Sequence, residues 1–179
     1  MRKVIVSEFI SVDGVIENPG WTFQFHTEEQ DKFKFEELKN CDALLLGRET
    51  YTGFAGAWPN MTEEGLYAEW MNNYPKYVVS TTLENPEWNN STVIKGDLTE
   101  EINKLKAQPG KDIVVFGSAT LVQSLLKLGL VDELRLMVYP IIKGTGKRLY
   151  DEAADDNLLK LVSTETFPTG VVVLTYHKA

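Results

Sequence analysis

The chain has 179 residues, 43% of them hydrophobic and 25% charged, with a formal net charge of −8. That length is about one domain's worth and buries roughly 70% of the surface of its unfolded chain. The acidic balance, with no basic stripe, excludes a nucleic-acid binder, and the single Cys41 with only His26 and His177 excludes an internal disulfide framework and a Cys/His zinc site.

Val4 to Ile10 reads as a strand, followed by a loop with Asp13-Gly14 and Asn18-Pro19-Gly20. Glu8 interrupts that apolar run too early for a signal-peptide core, and no stretch approaches the roughly 20 apolar residues that span a bilayer. A cytoplasmic protein with no membrane partner is therefore expected. Thr27-Glu28-Glu29-Gln30 is a capping-box pattern that starts a helix running to about Lys39. Ala43-Leu44-Leu45-Leu46 is apolar at every position, as in a strand covered on both faces. Thr62-Glu63-Glu64 opens a second helix to about Asn73, and Tyr77 to Ser80 and Thr92 to Ile94 are short strands. Thr99-Glu100-Glu101 caps a third helix that ends before Pro109-Gly110. Ile113 to Phe116 is another fully apolar strand, and Gly117-Ser118 leads into a helix with Leu121, Val122, Leu125 and Leu128 on one side.

From Val131 the pattern changes. Leu134 to Tyr139 alternates as a strand does, and Leu158 to Thr166 and Val171 to His177 form a hairpin through Phe167-Pro168-Thr169-Gly170. Alternating strands and helices followed by antiparallel strands define an α/β fold. The expectation is one domain over residues 1–179: a mixed, mostly parallel sheet with helices on both faces and a C-terminal antiparallel hairpin.

Three strand ends carry chemistry. At Val115-Phe116-Gly117-Ser118-Ala119-Thr120 a buried strand ends in Gly and a helix begins at once, so backbone N–H groups and a positive dipole end can receive a phosphate. Leu46-Gly47-Arg48-Glu49-Thr50 repeats that geometry, with Arg48 and Thr50 as phosphate partners. Val79-Ser80-Thr81 ends a third strand in hydroxyls. Three such ends on one sheet point to an elongated anionic ligand beyond the carboxyl ends of the strands, and a dinucleotide has that shape. No Gly-x-Gly-x-x-Gly occurs, and Gly144-Thr145-Gly146-Lys147-Arg148 lacks phosphate-loop spacing. This last segment reads as a tight basic turn or as a contact for a substrate phosphate.

In their order and spacing these segments resemble the dihydrofolate reductase superfamily. Ser11-Val12-Asp13-Gly14, Leu130-Val131-Asp132-Glu133-Leu134-Arg135-Leu136 and Gly144-Thr145-Gly146-Lys147-Arg148 look closer to one branch, the reductase domain of the bifunctional riboflavin-biosynthesis deaminase-reductase and its stand-alone relatives. The resemblance covers nearly the whole chain. It implies a dihydrofolate reductase-like three-layer fold with NADPH across the sheet. Gly47, Arg48, Thr50, Ser80 and Thr81 would lie toward the adenosine phosphates, Gly117, Ser118, Ala119 and Thr120 would hold the pyrophosphate, and a mobile loop would begin at Val12-Asp13-Gly14. It also implies a homodimer. Ser80-Thr81 is not followed by the Arg that many dihydrofolate reductases place near the 2′-phosphate.

The acceptor side offers two carboxylates. Asp31 shares a helical stripe with Phe35 and Leu38, where the resemblance places a pterin-binding acid. Asp13 precedes Gly14 in a loop that the resemblance sets beside the nicotinamide. Trp21, Phe23, Phe25 and Trp58 supply either walls for a planar substrate or core. The expected activity is NADPH-dependent reduction of a small pterin- or ribosylaminopyrimidine-like heterocycle. The alternatives are dihydrofolate reduction, a ligand-binding module without turnover, and a structural protein whose glycine-marked strand ends are only turns.

Overall fold

A computed structural model of the chain describes residues 1–61, 63, 65–152 and 155–179. One eight-stranded sheet organises it. The strands are β1 (Val4–Ser11), β2 (Cys41–Gly47), β3 (Lys76–Val79), β4 (Ser91–Ile94), β5 (Asp112–Val115), β6 (Glu133–Tyr139), β7 (Leu159–Thr166) and β8 (Val172–Lys178), in the order β4-β3-β2-β5-β1-β6-β8-β7. Neighbours from β4 through β6 run parallel, and β8 and β7 join antiparallel. This is the mixed sheet expected from the sequence, hairpin included.

Among the described residues five α-helices flank it: α1 (Glu28–Lys39), α2 (Arg48–Ala57), α3 (Gly65–Asn73), α4 (Leu98–Ala107) and α5 (Ala119–Lys127). Successive strand residues point to opposite faces, which sorts the core. Val4, Val6, Leu45 and Val115 pack with Ile102 and Leu105 of α4 and Leu121, Val122 and Leu125 of α5. Ile5, Leu44, Leu46 and Val114 pack with Leu38 of α1, Tyr51 of α2 and Met71 of α3. The central strands are therefore buried on both faces, which explains their unbroken apolar runs.

The helix starts test the local expectations. Thr27 caps α1 by accepting from the Gln30 N–H, but the Gln30 side chain donates to the Phe25 carbonyl at 2.9 Å instead of closing the box. The cap of α4 is Asp97, not Thr99; its carboxylate accepts the Glu100 N–H at 2.9 Å, and acids at 100 and 101 fill the first turn. Leu128 is a half-exposed C-cap rather than part of the buried stripe of α5. The expected helix start at Thr62 and Glu64 lies outside the described residues. Despite Gly53 and Gly56, α2 forms because Tyr51 is buried against the sheet and its hydroxyl accepts the Trp88 N–H at 3.0 Å.

What positions the site is a mismatch in strand length. β1 pairs with β5 only from Val4↔Ile113 to Val6↔Val115, yet it stays paired with β6 out to Ser11↔Tyr139. Among the described residues no strand lies on the β5 side of residues 7–11. This gap lies where the chain order of the sheet reverses, the usual ligand position in open α/β sheets.

Candidate active site

A cavity of about 1380 Å³ occupies that gap. Ser7, Glu8 and Phe9 of β1 form part of its lining, and Phe116, Gly117, Ser118 and Ala119 bring the N-terminal end of α5 to it. Thr50, Gly53 and Phe54 of α2 and Asp31, Lys34 and Phe35 of α1 also face it. The walls are mainly apolar, with a few polar groups converging at the strand ends, the common composition of a small-molecule site.

The junction after β5 is built for close approach. Gly117 has φ +113°, and a Cβ there would sit 2.8 Å from the Thr50 hydroxyl. The Gly47 N–H donates to the Gly117 carbonyl at 2.9 Å, and a Cβ on Gly47 would come within 2.8 Å of the Ser118 backbone nitrogen. The two glycines let the ends of β2 and β5 meet. The Gly117-Ser118 peptide is cis. Ser118 then caps α5, accepting the Leu121 N–H at 3.4 Å, while the first-turn N–H groups before Leu121 have no intrahelical acceptor. A phosphate beside Gly117 would meet those donors and the positive end of the helix.

On the floor lies a group that the sequence reading passed over. Glu8 is 7% exposed and lines the cavity, and its Oε1 has no hydrogen-bond partner among the described residues. Burial pushes its pKa up to about 8, against the opposing pull of Lys34. Lys34 is committed elsewhere: it donates to the Ser7 hydroxyl at 2.8 Å, pairs with buried Glu37, and lies over the rings of Phe116 and Phe9. Glu37 also pairs with Arg135, Arg135 with Glu133, and Glu133 with His177 at 3.1 Å. Lys34 is thus the end of a charge chain running away from the cavity. The available signal was the carboxylate inside Val4-Ile5-Val6-Ser7-Glu8-Phe9-Ile10, since a charge in a strand that feeds the core needs a reason.

The carboxylates singled out by sequence take different places. Asp31 lines the cavity but is exposed, and pairs with His26 at 2.8 Å. Asp13 does not line the cavity. Its carboxylate accepts from the Ser11 hydroxyl (2.6 Å) and from the N–H groups of Gly144 (2.7 Å) and Lys143 (3.0 Å), with Arg148 at 3.6 Å. These bonds hold its pKa well below the usual carboxylate range, the Ser11 hydroxyl contributing most. Gly144 to Arg148 is accordingly a turn stapled to the loop after β1, with Val15 bridging Arg148. Lys147 of this turn pairs with Glu49 of α2 at 2.8 Å, and both residues line the cavity.

Of the nine phosphate-side residues, Thr50, Gly117, Ser118 and Ala119 line the cavity. Gly47 lies behind them. Arg48 and Thr120 are exposed at the first turns of α2 and α5. The Ser80 hydroxyl accepts from the N–H groups of Thr82 and Leu83, closing its own turn beside exposed Thr81. Among the aromatics, Trp21 and Phe25 pack edge-on or tilted against buried Tyr139, with centroids at 5.6 and 5.9 Å, and are core. Trp58 and Phe23 line the cavity, Phe23 at 79% exposure on its lip.

No described helix is long and apolar enough to cross a membrane, and no described cluster of three or more His, Cys, Asp or Glu could hold a metal ion.

Sheet order, helix layers and the cleft beside β5 define a dihydrofolate reductase-like α/β protein. The structure is similar to dihydrofolate reductase from Enterococcus faecalis, solved with NADP(H), at a TM-score of 0.64 and 18% identity over 98% of this chain and 96% of that one. It is more similar to a protein of Shewanella sp. PV-4 assigned to riboflavin biosynthesis, at a TM-score of 0.81 and 22% identity over 99% of both chains. The sequence profile of the RibD C-terminal domain matches residues 2–173, and the chain belongs to that family. An uncharacterized protein of Bacillus subtilis strain 168, YyaP, is 34% identical over 180 residues, 98% of this chain and 95% of its own.

Proposed function

We propose that the protein is an NADPH-dependent reductase of a small heterocycle, pterin- or ribosylaminopyrimidine-like. The observation that carries this reading is the cleft, which sets the N-terminus of α5 and the positive-φ Gly117 beside an apolar slot at the strand-order reversal. Membership of the RibD C-terminal domain family supports it. A dinucleotide fits the residues present, because Gly117 leaves open the place where a Cβ would crowd Thr50 and where a phosphate reaches helix N–H groups.

When bound, the dinucleotide supplies hydride. Gly117, Ser118, Ala119 and Thr120 would hold its pyrophosphate, and Gly47, Arg48, Thr50, Ser80 and Thr81 would lie toward its adenosine end. Phe9, Phe35, Phe54, Phe116 and Trp58 keep water from the slot and suit a planar acceptor.

Fluorescence titration tests the first half of the reading: saturable quenching by NADPH is expected, and none at millimolar concentrations overturns it. NADPH oxidation with a panel of pterins and aminopyrimidines tests the second half. Binding without oxidation by any acceptor reduces the protein to a binding module.

We further propose a homodimer. β7 is exposed at all eight positions and carries Leu159, Leu161 and Val162 on an open sheet edge, which a second copy would cover.

A further inference from the structure

We infer that Glu8 is the acid of this site, delivering from a neutral carboxyl the proton that accompanies hydride onto the substrate. The inference rests on the reductase reading above and adds the proton source that reading lacks.

β1 and β5 part after Val6↔Val115, and just beyond that point the Glu8 Oε1 lies 3.4 Å from the place a Gly117 Cβ would take. The carboxyl is therefore at the point where the helix N-terminus, the strand gap and the cavity converge. Oε1 has no partner among the described residues, and an unpaired charge at this depth is far more costly than a held proton.

The cations around Glu8 pull against its burial without pairing with it. From α1, Lys34 is held by Glu37 and Ser7. From α2, neutral Thr50 is the neighbour, and α5 presents its N-terminal end. From the segment after β6, Tyr150 brings no positive charge; its own pKa is raised by burial first and by Tyr176 and Glu8 after it. Burial dominates, and the carboxyl titrates near pH 8, the range in which a general acid serves at neutral pH. The other two acids are less suited. Asp13 has its oxygens filled and stays charged, and Asp31 is solvated and paired.

The chemistry balances with a dihydronicotinamide as reductant. Hydride brings two electrons to the carbon of a C=N or C=O bond. The Glu8 O–H bond breaks, an N–H or O–H bond forms on the heteroatom, and the carboxylate regains its proton from water between turnovers.

The ligand-free protein gives a direct readout. Its infrared spectrum is expected to contain the C=O stretch of a protonated carboxyl that fades above about pH 8 and is missing in Glu8→Gln. With an accepted heterocycle, Glu8→Gln is expected to bind NADPH as the wild type does while turning over roughly 10²- to 10⁴-fold slower. Glu8→Asp should recover part of the rate, and the wild-type fall in rate on the alkaline side should vanish in the Gln variant. Absence of the infrared band, or full turnover in Glu8→Gln, overturns the assignment; in the second case an amide donor suffices and no proton comes from residue 8. Equal loss of NADPH binding and turnover overturns it too, making Glu8 a cofactor contact. If no acceptor oxidises NADPH with the wild type, the reductase reading fails and takes the acid role with it. The infrared band, which needs no ligand, separates that outcome from a misassigned carboxyl.

Discussion

Glu8 and Asp13 stand five residues apart on one stretch of chain, and their surroundings are opposite. Asp13 sits in an open loop with a hydroxyl, two backbone N–H groups and a guanidinium around its carboxylate. Glu8 is buried in β1 with one oxygen unmatched and its nearest lysine engaged elsewhere. Asp13 is held charged and ties the loop after β1 to residues 143–148, whereas Glu8 is held neutral and faces the cavity. Loop position made Asp13 a candidate for chemistry beside Asp31, but the partner of each oxygen decides the role.

The largest expected effect that sharpens this contrast is on stability. The folded-state pKa of Glu8 is raised from 4.5 to about 8, so the folded form holds its proton where the unfolded form has lost it. Stability contributed by Glu8 is full below about pH 4.5 and declines as pH rises to about 8. Glu8→Gln removes that decline and is expected to gain about 3 kcal/mol over the wild type at pH 7, with the gap closing in acid. Urea melts at several pH values measure it, and a variant no more stable at pH 7 would break the contrast.

Next comes Gly117→Val, which puts a branched side chain where Gly117 has φ +113° and Thr50 is 2.8 Å from a Cβ. NADPH affinity is expected to drop tenfold or more, about 1.4 kcal/mol per tenfold; normal affinity in a folded variant would move the pyrophosphate elsewhere. Arg48→Ala should cost a few-fold in affinity, and only at low salt, because Arg48 is exposed and its phosphate contact would be screened. Asp13→Asn and Asp31→Asn should leave turnover within about threefold of wild type, far from the 10²-fold scale of a lost acid. Asp13→Asn should still quicken amide exchange at 143–148. A hundredfold loss of rate in either would return the acid role to that residue. The last expectation touches neither acid: Leu161→Lys should shift sedimentation from dimer toward monomer without altering NADPH binding.

Most of the fold was legible in the sequence because burial on both faces writes itself as unbroken apolar runs, as in Ala43-Leu44-Leu45-Leu46 and Ile113-Val114-Val115. Caps were less legible. Asp97 and Thr99 are both good cap residues, and only the turn leading out of β4 decides between them. The glycine-marked strand ends could be found because close backbone approach demands glycine at Gly47 and Gly117. Glu8 was visible as an odd residue in a strand, but its role depends on β5 stopping at Val115 beside it and on Lys34 being spent on Ser7 and on a Glu37 that is itself tied to Arg135, which are long-range facts. The partners of Asp13 were hidden for the same reason, since those at 143–148 lie some 130 residues away in sequence.

The strand-length mismatch has a consequence for how such a protein can change. The site exists by omission: β5 has four residues where β1 has eight. Its lining side chains hang from β1, α1 and α2 around a place where no ladder hydrogen bonds need to form. Exchanging Phe9, Phe35, Phe54 or Trp58 for smaller or more polar groups would reshape the acceptor slot without breaking a strand pair. Adding two residues to β5 would zip the slot shut. The pocket is thus open to evolutionary tinkering along its walls but intolerant of length changes in one short strand, and a family sharing this sheet can vary its substrates while keeping β5 short.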